Sequence, residues 1–292
     1  MKNYLIFVFG NNCIGMRLHN CIALIFIFLM SSKIIFAQGP YTPPYSFSFD
    51  DISIFKSDYT IVNGNNDLEI WTRNSEGSNW AVRYKWNVTE AADDWIFTPA
   101  ITFSNKNYLI RFKYKTGTSF DEKFKLCLTN AITGNNSTII KTIADFNPTQ
   151  RINSFIQQSY VLQSGSVPTG NYYLGFHCYS DPRSYYLYID DIEIRETNRY
   201  TIVASTGKNG TITPVGNIHT WGGLEQTFTI TPNSGYTINT VKINNDITNV
   251  EKINNETAIY TFTDLQKNSK IDVTFKALPK IKQSKKPAKP KK

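Results

Sequence analysis

The sequence predicts an all-β protein, with an antiparallel sandwich followed by a smaller β module. Two stretches carry this prediction: residues 93–101 read D-D-W-I-F-T-P-A-I, and residues 186–194 read Y-L-Y-I-D-D-I-E-I. The second stretch alternates large apolar and polar residues, which is the two-residue period of a half-buried strand. Between the two, strand patterns follow one another with no convincing helix. We therefore expect these two stretches to be an early strand and the last strand of one domain.

The first 37 residues have the composition of a secretory signal peptide. They contain no acidic residue, carry three basic ones, and end with the small residue Ala37 at the expected cleavage position. The apolar run at residues 21–30 is shorter than the roughly 20 residues of a membrane-spanning helix. The sequence therefore predicts a signal peptide over residues 1–37, with a retained N-terminal anchor as the alternative. Whether translation starts at Met1 or at Met16 stays open.

The basic character of the chain belongs to its C-terminal end. The sequence has 31 Lys plus Arg and 23 Asp plus Glu. Three of the basic residues lie in the first 37 residues and eight lysines in the last 17, which leaves 20 basic against 23 acidic residues in the remainder. Runs of like charge with proline stay solvated, so residues 277–292 are predicted to be a disordered Lys-rich tail. The remainder has no positive excess that would favour nucleic acid.

The main domain begins after the predicted signal peptide. Prolines at positions 40, 43 and 44 predict an extended leader, and residues 46–51 alternate into a first strand. Residues 56–92 are rich in Asn, Gly and Ser, which is typical of short strands joined by long loops. Later strands are predicted at residues 107–115, 124–128, 138–143, 157–162, 171–179 and 185–194. Short strands at this spacing, without helices between them, indicate an antiparallel sandwich.

A second β pattern occupies residues 199–276. Each run alternates, as where Ile271, Val273 and Phe275 alternate with polar residues, and each break is a Gly or Asn turn. The pattern occurs once, so we expect a single module. Because the joint between the two patterns is short and polar, the two parts are predicted to fold independently.

The predicted main domain, residues 40–197, contains a Pro-Tyr leader, an F-D-D start, D-D-W-I-F-T-P-A-I, F-K-Y, E-K-F-K-L, Y-Y-L-G-F-H and Y-I-D-D-I-E-I. On these motifs, residues 45–196 resemble the cleaved-adhesin, or choice-of-anchor J, family of jelly-roll domains. Such domains are common in exported Bacteroidetes proteins, are similar in architecture to carbohydrate-binding modules, and occur as non-catalytic units. Residues 199–276, with T-F-T-I-T-P-N-S-G-Y, resemble an internalin-type B-repeat. The two resemblances imply a jelly-roll sandwich followed by a small β-grasp-like repeat module.

Aromatic and basic residues of the first domain are candidates for a ligand-binding surface. The candidates are Trp71, Trp80, Tyr84, Trp86, Tyr179, Arg183, Tyr185 and Tyr186. The first four are predicted to lie in loops, and the others surround Asp181 and Pro182. Exposed rings can stack on the apolar faces of sugars while polar neighbours bind the hydroxyls. The alternative is that most of these rings pack in the core or under loops, and Trp95 is assigned to the core.

Four aspartates are candidates for a metal site: Asp50, Asp51, Asp190 and Asp191. They would meet if the first and last strands pair, and clustered carboxylates can supply the six to eight oxygens that Ca²⁺ binds. The alternative is that Asp190 and Asp191 cap a turn or accept backbone N–H bonds. No cofactor is expected, with a structural calcium ion as the alternative.

The sequence offers little for catalysis. Only His177 and His219 remain after removal of the signal peptide, and no G-x-S-x-G, H-E-x-x-H or Gly-rich phosphate loop is present. His177 and Cys178 are neighbours in one predicted strand, so they should point to opposite faces. By the same alternation, Cys127 and Cys178 should lie on opposite faces of a sheet, which disfavours a disulfide. We therefore expect no enzymatic activity.

The resulting functional hypothesis is a secreted or cell-surface, non-catalytic adhesion protein. It would recognise an extracellular protein or glycan through the jelly-roll domain. The alternative is a carbohydrate-binding accessory protein of a polysaccharide-degrading system. The Lys-rich tail is expected to hold anionic cell-surface polymers, and nucleic acid is not an expected partner.

Overall fold

The computed structural model describes residues 39–117, 122–148, 150–252 and 257–279. In a separate N-terminal unit, Met1–Gln38, it also gives two short strands, β1 (Val8–Phe9) and β2 (Asn12–Cys13), which pair with each other. The predicted cleavage position and the Lys-rich tail from residue 280 onward lie outside the described residues. In the part that the structure describes, no helix has the length and apolar character needed to cross a membrane.

The main body is built almost entirely from antiparallel strands. Its elements are β3 (Tyr45–Phe47), α1 (Ile52–Asp58), β4 (Thr60–Asn63), β5 (Thr72–Glu76), β6 (Asn79–Lys85), β7 (Asp94–Phe97), β8 (Ile101–Phe103), β9 (Tyr108–Thr116), β10 (Phe124–Thr129), a 3₁₀ turn (Asn136–Thr138), β11 (Ile139–Phe146), β12 (Ile156–Leu162), β13 (Gly170–Cys178) and β14 (Tyr186–Glu196). The predicted all-β fold class is therefore confirmed.

These strands form two sheets that face each other. The first sheet has the order β11-β10-β13-β7-β4, with β8 beside β13, and the second has the order β12-β9-β14-β6-β5, with β3 beside β14. Apolar residues from both sheets, such as Ile96 and Phe176 of the first and Phe112 and Leu187 of the second, are buried in one cluster. Burial of a side chain of this size stabilises the fold by about 1.5–3 kcal/mol.

A β-bulge in β14 sets which residues of the last strand face outward. Leu187 and Ile189 point into the core before the bulge, and Ile192 does so after it. The register against β9 shifts between Asp190 and Glu193, so one extra residue is accommodated and the alternation changes phase. Because of this shift, polar side chains stay on the outer face along the whole length of the strand.

The short helix α1 is not predicted from the sequence, which indicates a strand at residues 46–51 and strands and loops in the following stretch. Asp51 caps the helix: its Oδ1 accepts hydrogen bonds from the backbone N–H of Ser53 at 2.8 Å and of Ile54 at 3.4 Å. An aspartate at this position satisfies backbone donors that the first helical turn leaves free. The strand β3 ends earlier than predicted, at Phe47.

The second module contains the remaining strands. They are β15 (Arg199–Thr206), β16 (Gly210–Thr213), β17 (Gly216–Trp221), β18 (Gln226–Pro232), β19 (Tyr236–Ile243), β20 (Asp246–Ile247), β21 (Glu251–Lys252), β22 (Ala258–Phe262) and β23 (Ser269–Ala277). One sheet has the order β17-β15-β23-β19-β20 and the other β16-β18-β22-β21, and β15 and β23 pair in parallel. A separate apolar cluster that includes Ile202, Phe228 and Ile271 lies between them.

Polar contacts and ion pairs connect the two modules. Arg111 donates a hydrogen bond to the carbonyl oxygen of Gly223 at 2.7 Å, and Arg195 pairs with Asp264 at 2.5 Å. Glu193 lies between the two arginines, 3.2 Å from Arg111 and 2.9 Å from Arg195. Networks of this kind hold geometry better than single exposed pairs. The predicted independent folding of the modules stays a prediction.

Candidate ligand-binding surface

Three of the eight candidate residues form one contiguous group at an end of the second sheet. The rings of Trp86 and Tyr185 are stacked, with centroids 5.1 Å apart and an interplanar angle of 21°. The ring of Tyr186 meets Trp86 edge-on at 5.0 Å and Tyr185 at 4.5 Å. All three side chains are half-buried. We call Trp86, Tyr185 and Tyr186 the aromatic surface.

Pairing of β6 with β14 explains why these rings meet. Tyr186 at the start of β14 pairs with Lys85 at the end of β6, so the residues just beyond both ends are neighbours. There, the N–H of Trp86 donates to the carbonyl oxygen of Tyr185 at 3.0 Å. A Cβ atom at Gly117 would overlap the ring of Tyr185, so the missing side chain leaves the space that this ring occupies. The surface is therefore fixed by backbone contacts.

Cationic side chains lie against these rings on the outer face of the sheet. The guanidinium of Arg83 lies 4.7 Å from the ring centroid of Tyr186, and the ammonium of Lys85 lies 5.6 Å from that of Trp86. Lys85 also pairs with Glu69 at 3.0 Å. A cation within about 6 Å of a ring face is attracted by the electrons of the ring. Rings and hydrogen-bond donors therefore alternate across this surface.

Trp71 and Tyr84 belong to the core and not to an exposed surface, which corrects their assignment as ligand-binding loop residues. Both are fully buried, and their ring centroids are 5.8 Å apart. The indole N–H of Trp71 donates to the carbonyl oxygen of Asp94 at 3.1 Å. Tyr84 lies on β6, where every second side chain points between the sheets. The alternative of core packing is the correct one for these two residues.

Trp80 lies in β6 and not in a loop, and it is separate from the aromatic surface. It pairs with Ser75 near the start of the strand, five residues before Lys85, or about 17 Å along the strand. The guanidinium of Arg73 covers its ring at 3.6 Å from the centroid. Trp80 is therefore half-buried under an arginine of the neighbouring strand.

Tyr179 and Arg183 flank the loop that leads into β14. The hydroxyl of Tyr179 donates to Asp145, and the ammonium of Lys125 lies 4.6 Å from its ring centroid, so this ring packs beside the first sheet. Arg183 is exposed, and its backbone N–H donates to the carbonyl oxygen of Asn87 at 2.8 Å. Of the two, only Arg183 is close in sequence to the aromatic surface, two residues before Tyr185.

The predicted pairing of the first and last strands is present, and Asp50, Asp51 and Asp191 line one cleft, but they do not form a cluster placed to bind a metal. Although β3 pairs with β14, Asp51 caps α1 and Asp191 pairs with Lys113 at 2.7 Å. Asp190 is buried, accepts a hydrogen bond from Asn79 at 2.7 Å, and has its pKa raised to about 6 by burial. Among the described residues, no group of three or more His, Cys, Asp or Glu side chains is placed to hold a metal ion. The calcium prediction stays a prediction.

A cleft of about 500 Å³ opens beside these aspartates on the outer face of the second sheet. Its lining includes Asp50, Asp191 and Glu193 together with Arg111 and Lys113. Lys113 and Arg111 are each paired with an acid, so the cleft is polar and its cations are already neutralised. It lies beside the middle of β14, whereas the aromatic surface lies at the start of this strand.

Two carboxyl groups that the sequence did not single out are fully buried. Burial, with the negative charge of Asp67 as a smaller cause, raises the pKa of Asp94 to about 7. Burial also raises the pKa of Glu122 to about 7. The thiol of Cys178, whose pKa is raised by burial, interacts electrostatically with both carboxyl groups. Asp94 and Glu122 lie in the D-D-W-I-F-T-P-A-I and E-K-F-K-L motifs, but neither motif predicts burial of its acid, because each acid stands beside another charged residue, as is typical of a solvent-exposed position.

His177 and Cys178 point to opposite faces of β13, as predicted. The imidazole of His177 stacks on Trp95 at 4.2 Å, and its Nε2 lies 2.7 Å from Asp93. Burial lowers the pKa of His177, against the effect of the Asp93 carboxylate. Cys178 lies in the main core, whereas Cys127 packs with buried Trp95 on the other face of the first sheet, and both thiols are free. The structure therefore separates His177 from the neighbouring thiol.

Solved structures of other proteins are similar to this chain in fold. No model of a known protein family matches the sequence, and no curated protein matches it. The K1 cleaved adhesin domain of Lys-gingipain from Porphyromonas gingivalis is similar at 16% identity and a TM-score of 0.41, over 52% of this chain and 96% of that domain. Its K3 domain is similar at 12% identity and a TM-score of 0.41, over 52% and 96% of the two chains.

A carbohydrate-binding module shows a comparable likeness. The CBM22-1 xylan-binding domain from Paenibacillus barcinonensis is similar at 10% identity and a TM-score of 0.35, over 55% of this chain and 97% of that domain. At such identities and TM-scores, the likenesses carry nothing about the ligand of this chain. The resemblance of the second module to an internalin-type repeat stays a prediction.

Proposed function

We propose that this chain is a secreted or surface-exposed, non-catalytic binding protein that recognises an extracellular glycan through the aromatic surface. The observation that carries the proposal is the stack of Trp86 on Tyr185 with Tyr186 edge-on, all half-exposed and flanked by cations. Half-exposed rings offer apolar faces to the C–H groups of a sugar, and the neighbouring donors bind its hydroxyl or carboxylate oxygens.

The fixed geometry of the surface supports the same proposal. Trp86 and Tyr185 are joined by a backbone hydrogen bond and by ring stacking, so binding would order few side chains. Binding costs less when the contact groups are already in place. Arg83 and Lys85 come from the same strand and are held against the rings, which adds directional donors at fixed positions.

An extracellular protein is the other class of ligand, and the following test distinguishes protein binding from glycan binding. The full chain without its predicted signal peptide is applied to an array of plant, algal and bacterial polysaccharides and to a panel of immobilised matrix proteins. We expect glycan binding, and the Trp86→Ala and Tyr185→Ala variants should bind at least about 10-fold more weakly, since the loss of about 1.4 kcal/mol is tenfold in affinity.

Trp80→Ala is the matched control, because Trp80 is a half-buried tryptophan of the second sheet that lies away from the aromatic surface. It should bind like the unaltered chain. Binding to matrix proteins alone, or equal glycan binding by Trp86→Ala and the unaltered chain, would overturn the proposal.

We further propose that the Lys-rich tail holds the protein on anionic surface polymers, as its charge suggests. Exposed charges are screened over about 8 Å at physiological ionic strength, so this attachment should weaken steeply with salt.

A further inference from the structure

The loop before β14 is held at one point by a buried residue. Ser180 is fully buried, and its carbonyl oxygen accepts the N–H of Ala92 at 2.9 Å. Its hydroxyl donates to Oε2 of Glu122 and accepts the N–H of Lys123 at 2.9 Å. Five residues later, the same loop delivers Tyr185 to the aromatic surface.

Glu122 is an unusual partner for such a loop. The residue is fully buried, and its Oε1 has no hydrogen-bond partner within the described parts of the chain. A buried carboxyl oxygen without a hydrogen-bond partner destabilises the folded state, so the burial of Glu122 calls for an explanation. The groups that act on this carboxyl are the Ser180 hydroxyl, the backbone N–H of Tyr185 and the Cys178 thiol. The first two favour its ionised form.

Tyr185 is therefore held from two sides. Its backbone N–H favours the ionised form of the Glu122 carboxyl, and its carbonyl oxygen accepts the N–H of Trp86 at 3.0 Å. Its ring lies over Gly117 and against Trp86. A change in the protonation of Glu122 would therefore act on the stacked rings through Tyr185.

We infer that Glu122 is a positioning residue of the aromatic surface, and that gain or loss of a proton on its carboxyl moves the Tyr185 and Trp86 rings. This inference rests on the proposed function, because it describes control of the same site. An ionised carboxylate accepts the Ser180 hydrogen bond as a charge-assisted one and attracts the backbone N–H of Tyr185, whereas the protonated form does both more weakly and carries a donor of its own. The loop is held more tightly in the ionised form.

The change falls in the neutral pH range. Burial raises the pKa of Glu122 from 4.5 to about 7. The other charged or titratable groups around it are Cys178, which is buried, Asp94, which acts on Cys178, and Lys123, whose ammonium pairs with the exposed Asp181. Asp94 has its pKa raised to about 7 as well, so the test has to separate the two acids.

The test is a pH titration of the full chain labelled with 5-fluorotryptophan. The chain has five tryptophans, and Trp86→Phe identifies the ¹⁹F resonance of Trp86. We expect this resonance to shift with a midpoint near pH 7. The shift should be absent in Glu122→Gln and retained in Asp94→Asn, which is the matched control for a buried acid of similar pKa.

A second variant gives a signed prediction if Glu122→Gln fails to fold. Ser180→Ala removes a hydrogen bond that favours the ionised carboxyl, so the midpoint of the Trp86 resonance should move to higher pH. A Trp86 resonance that does not titrate, a shift that persists in Glu122→Gln, or an unchanged midpoint in Ser180→Ala overturns the inference. The readout needs no ligand, so it can fail or succeed separately from glycan binding.

Discussion

Replacing Asp94 with asparagine should stabilise the protein increasingly as the pH rises from about 4 to about 7. Asp94 is fully buried between the sheets, and neither of its carboxyl oxygens has a hydrogen-bond partner among the described residues. Burial, with the charge of Asp67 as a smaller cause, raises its pKa from 3.8 to about 7. A neutral amide of the same shape carries no charge that burial would penalise.

The expected size follows from the two pKa values. The unfolded chain releases the proton near pH 3.8, whereas the folded protein keeps it until about pH 7, so this group favours unfolding as the pH rises between these values. At 1.36 kcal/mol for each pKa unit, the unaltered chain loses up to about 4 kcal/mol over this range. The amide of the Asp94→Asn variant does not titrate, so the advantage of the variant grows by the same amount and is constant above this range.

The measurement is urea-induced unfolding of Asp94→Asn and the unaltered chain, followed by circular dichroism at several pH values from about 4 to about 8. The difference in the free energy of unfolding between the two proteins cancels contributions from Glu122 and His177, which are common to both. Asp246→Asn is the control, because Asp246 is exposed on β20 and its variant should show no such trend. A difference for Asp94→Asn that stays constant with pH would refute protonation of the folded Asp94.

The modules, the aspartates and the tail each provide a further test. Fragments 40–196 and 200–276 should each melt cooperatively, since each contains its own apolar cluster; an unfolded second fragment would contradict this. Added calcium should leave the melting temperature unchanged, because Asp51 and Asp191 have protein partners; an increase that Asp190→Asn abolishes would instead support the calcium prediction. In salt washes of anionic beads, the full chain should be released at higher NaCl than a chain ending at Lys276, and equal retention would leave the tail without this role.

Strand positions can be predicted because the sequence itself shows the alternation of apolar and polar residues that a half-buried strand requires. The sequence predicts a strand at residues 107–115, and β9 is Tyr108–Thr116. Burial of one face places apolar residues at every second position, so the alternation can be recognised without knowing which strands lie beside it. The missed helix α1 has Ile52 and Ile54, whose branched side chains favour strands, and its capping Asp51 is the signal that could have identified it.

The candidate site can be predicted only in part, because alternation does not say which face is covered. Trp86, Tyr185 and Tyr186 are candidates from the sequence and are brought together, whereas Tyr84, from the same aromatic-rich stretch, points between the sheets. Glu122 escapes the sequence analysis for a different reason. Its burial depends on Ser180, a partner 58 residues away, and no local pattern contains that information.

The parallel pairing of β15 with β23 gives the second module a mechanical property. These are its first and last strands, and they are joined over the register from Ile202 opposite Ser269 to Thr206 opposite Val273. Since both strands run in the same direction, the chain enters at one end of the pair and leaves at the other. A pull between a ligand held by the sandwich and an anchored tail would act along the strands, so their hydrogen bonds would share the force and break together. With both proposed attachments in place, this strand pair would resist the force in shear.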